Sequence, residues 1–210
     1  MLAAVALAAA AMTVPPVTIT VRAAPTVAPA IVKDALDEAA AVWRAAGVTL
    51  IPRIDAESQP TGRLTGDRRS LPLGLSITVL FDDGESTVKD YAGTVGWIVF
   101  DETNTPVPEI HLVYANALAI LRGTYSDGTL NQMPGAQRQT YLSRALGRAL
   151  AHELGHFLFQ SKVHSEGGLM RARQSADALF GPDRKSFQLT DDERRAAAAR
   201  LFEGDRLVRR

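Results

Sequence analysis

The chain has 210 residues, 46% of them hydrophobic and 22% charged, and its 23 basic side chains balance 23 acidic ones. That size and composition suit one folded domain with a sizeable core, and the missing net charge asks for neither a nucleic acid nor an anionic membrane as partner. With no cysteine in the sequence, a thiolate nucleophile, a Cys-ligated zinc and a disulfide framework are all excluded, so any metal must be held by His, Asp or Glu.

Residues 2–12 (LAAVALAAAAM) form an apolar run followed by Pro15 and Pro16. It is too short to span a bilayer and is similar to the apolar stretch and cleavage zone of a secretory signal. The expectation is a signal peptide over residues 1–14, a single domain over 15–210, and a secreted or periplasmic protein without a membrane span.

Residues 16–22 (PVTITVR) alternate apolar and polar side chains, the pattern of a half-buried strand. The period then becomes helical over residues 27–46, where Ile31, Ala35, Ala39, Val42, Trp43 and Ala46 share a face, with Gly47 placed as the stop. Residues 48–54 read as a second strand, so strand, helix and strand make a crossover unit of the right-handed kind. A loop over residues 55–72 follows. Residues 75–81 (LSITVLF), 94–100 (TVGWIVF) and 109–114 (EIHLVY) are rich in β-branched and aromatic side chains, with turn chemistry at Asp82, Asp83 and Gly84 and over residues 101–106. The next segment, with Gly123, Gly128, Pro134 and Gly135, reads as a loop. From Gln137 a stripe of Leu142, Ala145, Leu146, Ala149 and Leu150 marks a long helix. Near the end, Leu189 precedes a capping box at Thr190 and Glu193, the start of a last helix expected to stop at Gly204. The expected fold class is α+β: a small mixed five-stranded sheet with two long helices, a backing helix and an active-site helix, and a C-terminal helix.

The long helix runs into His152, Glu153, Leu154, Gly155 and His156. Side chains four apart stand on one helical face, so both imidazoles can reach one tetrahedral metal ion, while Glu153 projects about 100° around the axis. There it can take a proton from a water without itself being a ligand. The bland reading is a polar pair on a surface helix. Against it, the flanking Ala149, Leu150, Leu154, Phe157 and Leu158 are core-like, and three of the chain's four histidines lie between His152 and His164. A catalytic zinc site needs a third protein ligand. His164 is the nearest candidate, and Glu166 stays open as the carboxylate of a two-His, one-Glu set. No Glu lies between Glu166 and Glu193, so the thermolysin-like arrangement, with a Glu from a following helix, fits poorly. His111 alternates with Ile110 and Leu112 and reads as a strand histidine. Tyr114 reads as packing, and Arg171 and Arg173 as surface arginines that could border a cleft.

HELGH, a later His164, and then residues 165–170 (SEGGLM) resemble the metzincins, most closely their matrixin branch. The resemblance implies a metzincin-like fold, His152, His156 and His164 as ligands of a catalytic Zn2+, Glu153 as the base and Met170 as the residue of the methionine turn. It also implies that Gly96 and Trp97 sit on the edge strand that pairs with an extended substrate. The chain departs from the pattern in two places: His164 comes two residues later than the family's third histidine, and Phe159 replaces the glycine that turns the chain. Gln160, Ser161 and Lys162 must then make that turn, and Gly167 and Gly168 supply freedom after it. The expected function is a zinc-dependent endopeptidase acting on polypeptides through a water activated by Glu153. The alternatives are a secreted zinc-stabilised binding domain without turnover, or a metal-dependent endoribonuclease, against which Glu153 and the balanced charge speak. No inhibitor partner is legible.

Overall fold

The computed structural model describes residues 13–54, 75–84 and 93–208. The apolar run at residues 2–12 and the loop at 55–72 lie outside the described residues.

Strand β1 (Val17–Ala23) lies inside the sheet because Val17, Ile19 and Val21 place fully buried β-branched or long aliphatic side chains on one face. It pairs in parallel with β2 (Leu50–Ile54) and with β3 (Leu75–Asp82), in registers that align Val17 with Leu50 and with Leu75. Strand β3 repeats the alternation with Ile77, Val79 and Phe81 inward, and it pairs in parallel with β5 (Pro106–Val113). Strand β4 (Gly96–Phe100) is antiparallel to β5, and the five-stranded order is β2-β1-β3-β5-β4. The sheet is therefore mixed, mostly parallel, and β4 is an edge strand.

Helix α1 (Pro29–Arg44) starts at proline, whose fixed φ suits the first helical turn, and buries the expected Ile31, Ala35, Ala39, Val42 and Trp43. It packs along α4 (Gly135–Phe159), the long helix of the motif. The buried Trp43 Nε1–H donates to the Ala151 carbonyl at 3.1 Å, which ties α1 to the turn just before His152. A second tie is ionic: Arg148, fully buried on α4, donates from Nε to Glu38 Oε1 at 2.8 Å, and Arg184 donates to Glu38 Oε2 at 2.5 Å. Burial works to raise the Glu38 carboxyl, but hydrogen bonds and charges from Arg184 and Arg148 outweigh it and hold the group below its usual range.

Residues 115–134 depart from the expected loop, and Tyr114 from the expected strand over residues 109–114, since the helical run begins there. They contain α2 (Tyr114–Thr124) and α3 (Asp127–Gln132). In α2 the apolar side chains are spread around the axis, so no stripe announces it, and Asn116 is buried by donating from Nδ2 to the Thr94 carbonyl at 2.7 Å. Ser126 caps α3 through a hydrogen bond from the Thr129 N–H. After α4 come a short α5 (Ala176–Phe180), a 3₁₀ turn at Lys185–Phe187 and α6 (Asp191–Val208). The capping box forms as expected, with the Thr190 N–H on Glu193 Oε2 at 2.7 Å and the Glu193 N–H on Thr190 Oγ1 at 3.2 Å. Gly204, expected as the stop, instead lies within α6: a Cβ there would come within 2.9 Å of Leu75 Cδ1, so the glycine serves close helix–sheet contact and not termination. No helix among the described residues is long and apolar enough to cross a membrane.

Candidate metal centre

The last two turns of α4 present His152 and His156 to a cleft, and the chain then leaves the helix at Gln160. Gln160 adopts the left-handed conformation (φ 51°, ψ 41°) that helix ends usually reserve for glycine, and its Nε2 donates to the Phe157 carbonyl at 2.6 Å. The turn therefore occurs one residue after Phe159, without glycine. Because a side chain in this region costs about 1 kcal/mol, Gln160→Gly is expected to raise stability by about 0.5 kcal/mol after loss of that part-buried hydrogen bond. A shift of the urea midpoint at constant slope checks it, and a lowered midpoint would show the side-chain contact to be worth more than the strain.

The exposed segment beyond this turn brings His164 back over the helix. Its ring lies 5.3 Å from that of His152 and 4.9 Å from that of His156, centroid to centroid. One nitrogen from each of the three histidines falls within 4.8 Å of the others, and they form the one such group among the described residues. Glu166 is not part of this group. His111 is elsewhere, stacked on Trp97 at 4.7 Å, with Nε2 3.1 Å from Glu109 and Nδ1 3.4 Å from Asp82. Tyr114 packs against the core.

Two backbone carbonyls fix the orientation of the helical pair. His152 Nδ1–H donates to Leu169 O at 2.8 Å and His156 Nδ1–H to Ser161 O at 2.7 Å. A carbonyl can only accept, so each Nδ1 carries the proton and each Nε2 offers a lone pair. These two Nε2 atoms face each other at 3.1 Å. Burial, aided by the other two imidazoles and opposed by the Leu169 bond, pushes His152 down to about 4; burial also lowers His156. The pair is thus neutral at neutral pH, the form that ligates metal. Converging lone pairs on neutral imidazoles are electrostatically satisfied by a cation, so the donor set fits a metal ion.

Beneath this group lies the turn that carries Met170. Ser165 N–H bonds to Met170 O at 2.9 Å and Leu169 N–H to Gln188 O at 3.1 Å, which holds the Leu169 carbonyl under His152. Gly168 makes this closure possible: its φ is +71°, and a Cβ would stand 2.6 Å from Gln188 O. Met170 is buried against Gly155, where a Cβ would meet its Sδ at 2.3 Å, so the small residue between the two helical histidines lets the methionine pack directly beneath them.

Glu153 is also buried, one residue round the helix from His152. Burial pushes its carboxyl up to about 8, against a backbone hydrogen bond from Ile98 on β4. A cavity of about 840 Å³ connects these groups and is walled by β4 with Gly96, Trp97 and Phe100. Arg171 and Arg173 line it and are exposed. Reasoning from sequence missed Arg148 as a lining residue, although it stands four positions before His152 and hence on the same face of α4. It also missed Lys162, whose Nζ sits 4.9 Å over the Phe100 ring.

No family model matches the chain, and no curated protein does. Among solved structures, metalloproteinase-II from Bacteroides fragilis is similar with a TM-score of 0.48 and 11% sequence identity, over 90% of this chain and 54% of that one. The chain spans about half the length of that protein. The three histidines can bind a metal ion on their own geometry.

Proposed function

We propose that the chain is a zinc-dependent endopeptidase of metzincin type, with His152, His156 and His164 as ligands, Glu153 as the base and Met170 in the turn beneath them. The observation that supports it most is the convergence of three imidazoles, two with Nδ1–H committed to backbone carbonyls, beside a buried carboxylate. Zinc there would supply Lewis acidity, lowering the pKa of water toward about 7 and polarising the scissile carbonyl. Glu153 accepts the proton of the attacking water and passes it to the leaving amine. Burial works against its ionisation, and the positive charge of a zinc ion beside it would work the other way, leaving a carboxylate that can take the proton. Among the described residues no strand lies on the side of β4 away from β5, and an extended peptide added along that edge would be held above the histidines with little demand on its side chains. Residues 15–210 form the catalytic domain in this reading, and residues 1–14 a signal that directs it to the periplasm or the exterior.

Elemental analysis after gel filtration is expected to find about one zinc per chain, since two ligands are preset on one helix. A folded protein that hydrolyses peptides without any metal overturns the proposal.

A further inference from the structure

The cavity has a charge that the whole chain lacks. Besides the histidines, its ionisable lining among the described residues is Arg148, Lys162, Arg171 and Arg173 against the single carboxylate of Glu153, in a protein whose formal net charge is zero. Lys162 is partly answered, since it rests on Phe100 and its charge reaches Asp101. Arg171 and Arg173 are not: both are exposed and neither has a carboxylate partner among the described residues. Behind them, Arg148 and Arg184 share the one carboxylate of Glu38, which leaves that cluster one positive charge in excess. Arg148 Nη1 donates to the Ala178 carbonyl, whereas its Nη2 is buried without a partner. Arg148 is thus ion-paired at Nε and lies over the Phe187 ring, and its Nη2 alone keeps an unmet donor, which an anion can answer.

We propose that this cleft selects acidic peptide segments, with Asp or Glu close to the bond presented to the histidines, held by Arg171 and Arg173 in the field of Arg148. That the anion is part of a peptide rests on the peptidase reading above. The aromatic lining agrees with it. Trp97 is buried and stacked on His111, Phe100 is covered by Lys162 and Phe187 by Arg148, so among the described residues no bare ring is offered to a nucleobase. Gln174 Oε1, a second buried lining atom without a partner, would favour a carboxamide, and the excess of positive charge outweighs it.

Binding to the full chain as Glu153→Gln, loaded with zinc, tests this by fluorescence anisotropy with uncharged labels. The probes are a peptide with paired Glu residues, the same peptide with Gln in their place, and a single-stranded RNA of equal charge. Two rim arginines are expected to make the Glu peptide bind about three- to tenfold tighter than the Gln peptide at low salt, the ratio shrinking toward one at about 0.5 M. Arg171→Glu with Arg173→Glu is expected to remove the preference at unchanged zinc content. Equal or weaker binding of the Glu peptide, a ratio untouched by the double variant, or tighter binding of the RNA overturns the inference. Digestion of the same peptides by the parent protein separates the two ideas: acid-selective binding without cleavage sinks the peptidase and leaves the selectivity, while cleavage without selectivity does the reverse.

Discussion

Glu153→Gln is expected to keep the zinc content of the protein and to lower kcat for peptide hydrolysis by about 10²- to 10⁴-fold, the usual range for loss of a positioned base. The substitution is nearly isosteric in a buried place, and the amide oxygen can still accept the Ile98 N–H. What it loses is the capacity to take a proton. Since the side chain stands about 100° around the helix from His152, it is not part of the converging imidazole group, and metal affinity has no reason to change. Because the residue acts in the transition state and not on ground-state binding, kcat should fall with KM nearly constant. Undiminished hydrolysis in the variant removes Glu153 from its role, and loss of zinc makes it a ligand.

His164→Ala is expected to weaken zinc binding by more than about 100-fold, exceeding the 10- to 100-fold typical for residues that only support a ligand. Glu166→Ala and His111→Ala are expected to leave it within a few-fold. The contrast follows from placement. The His164 ring lies within 5.3 Å of both helical imidazoles, whereas His111 is occupied with Trp97, Glu109 and Asp82 on the sheet. Competition against a chromophoric chelator measures all three. If His164→Ala binds like the parent and Glu166→Ala does not, the ligand set is two imidazoles and a carboxylate.

Much of this arrangement was legible in the sequence because it depends on local periodicity. The alternation in residues 16–22 and 75–81, and the stripe from Leu142 to Leu150, each satisfy one buried face, so pattern and tertiary burial agree. Helix α2 was not legible: it is apolar on several sides, and its Asn116 is compatible with burial only because Thr94 offers a carbonyl. Gly204 misleads for a related reason, since the neighbour it packs closely against, Leu75, is distant in sequence. At the site, the spacing of His152 and His156 fixes their common face. The placement of His164 depends instead on a left-handed Gln160, a conformation no local signal announces. Arg148 could be counted as one more helix-forming residue until Glu38, 110 positions away, appears beside it.

Of the two tryptophans of the chain, one braces the helix that carries His152 and His156 and the other borders the cleft. Trp43, fully buried, is hydrogen-bonded to the backbone of α4 at Ala151, and Trp97 forms part of the cavity wall, flat against an imidazole. The protein thus carries two intrinsic optical probes with different sensitivities. Emission from the dry indole follows the integrity of α4, and emission from the stacked one follows whatever enters along β4. Metal loading and substrate entry can therefore be timed by stopped-flow fluorescence on the unlabelled chain, with a phenylalanine at either position to tell the two signals apart.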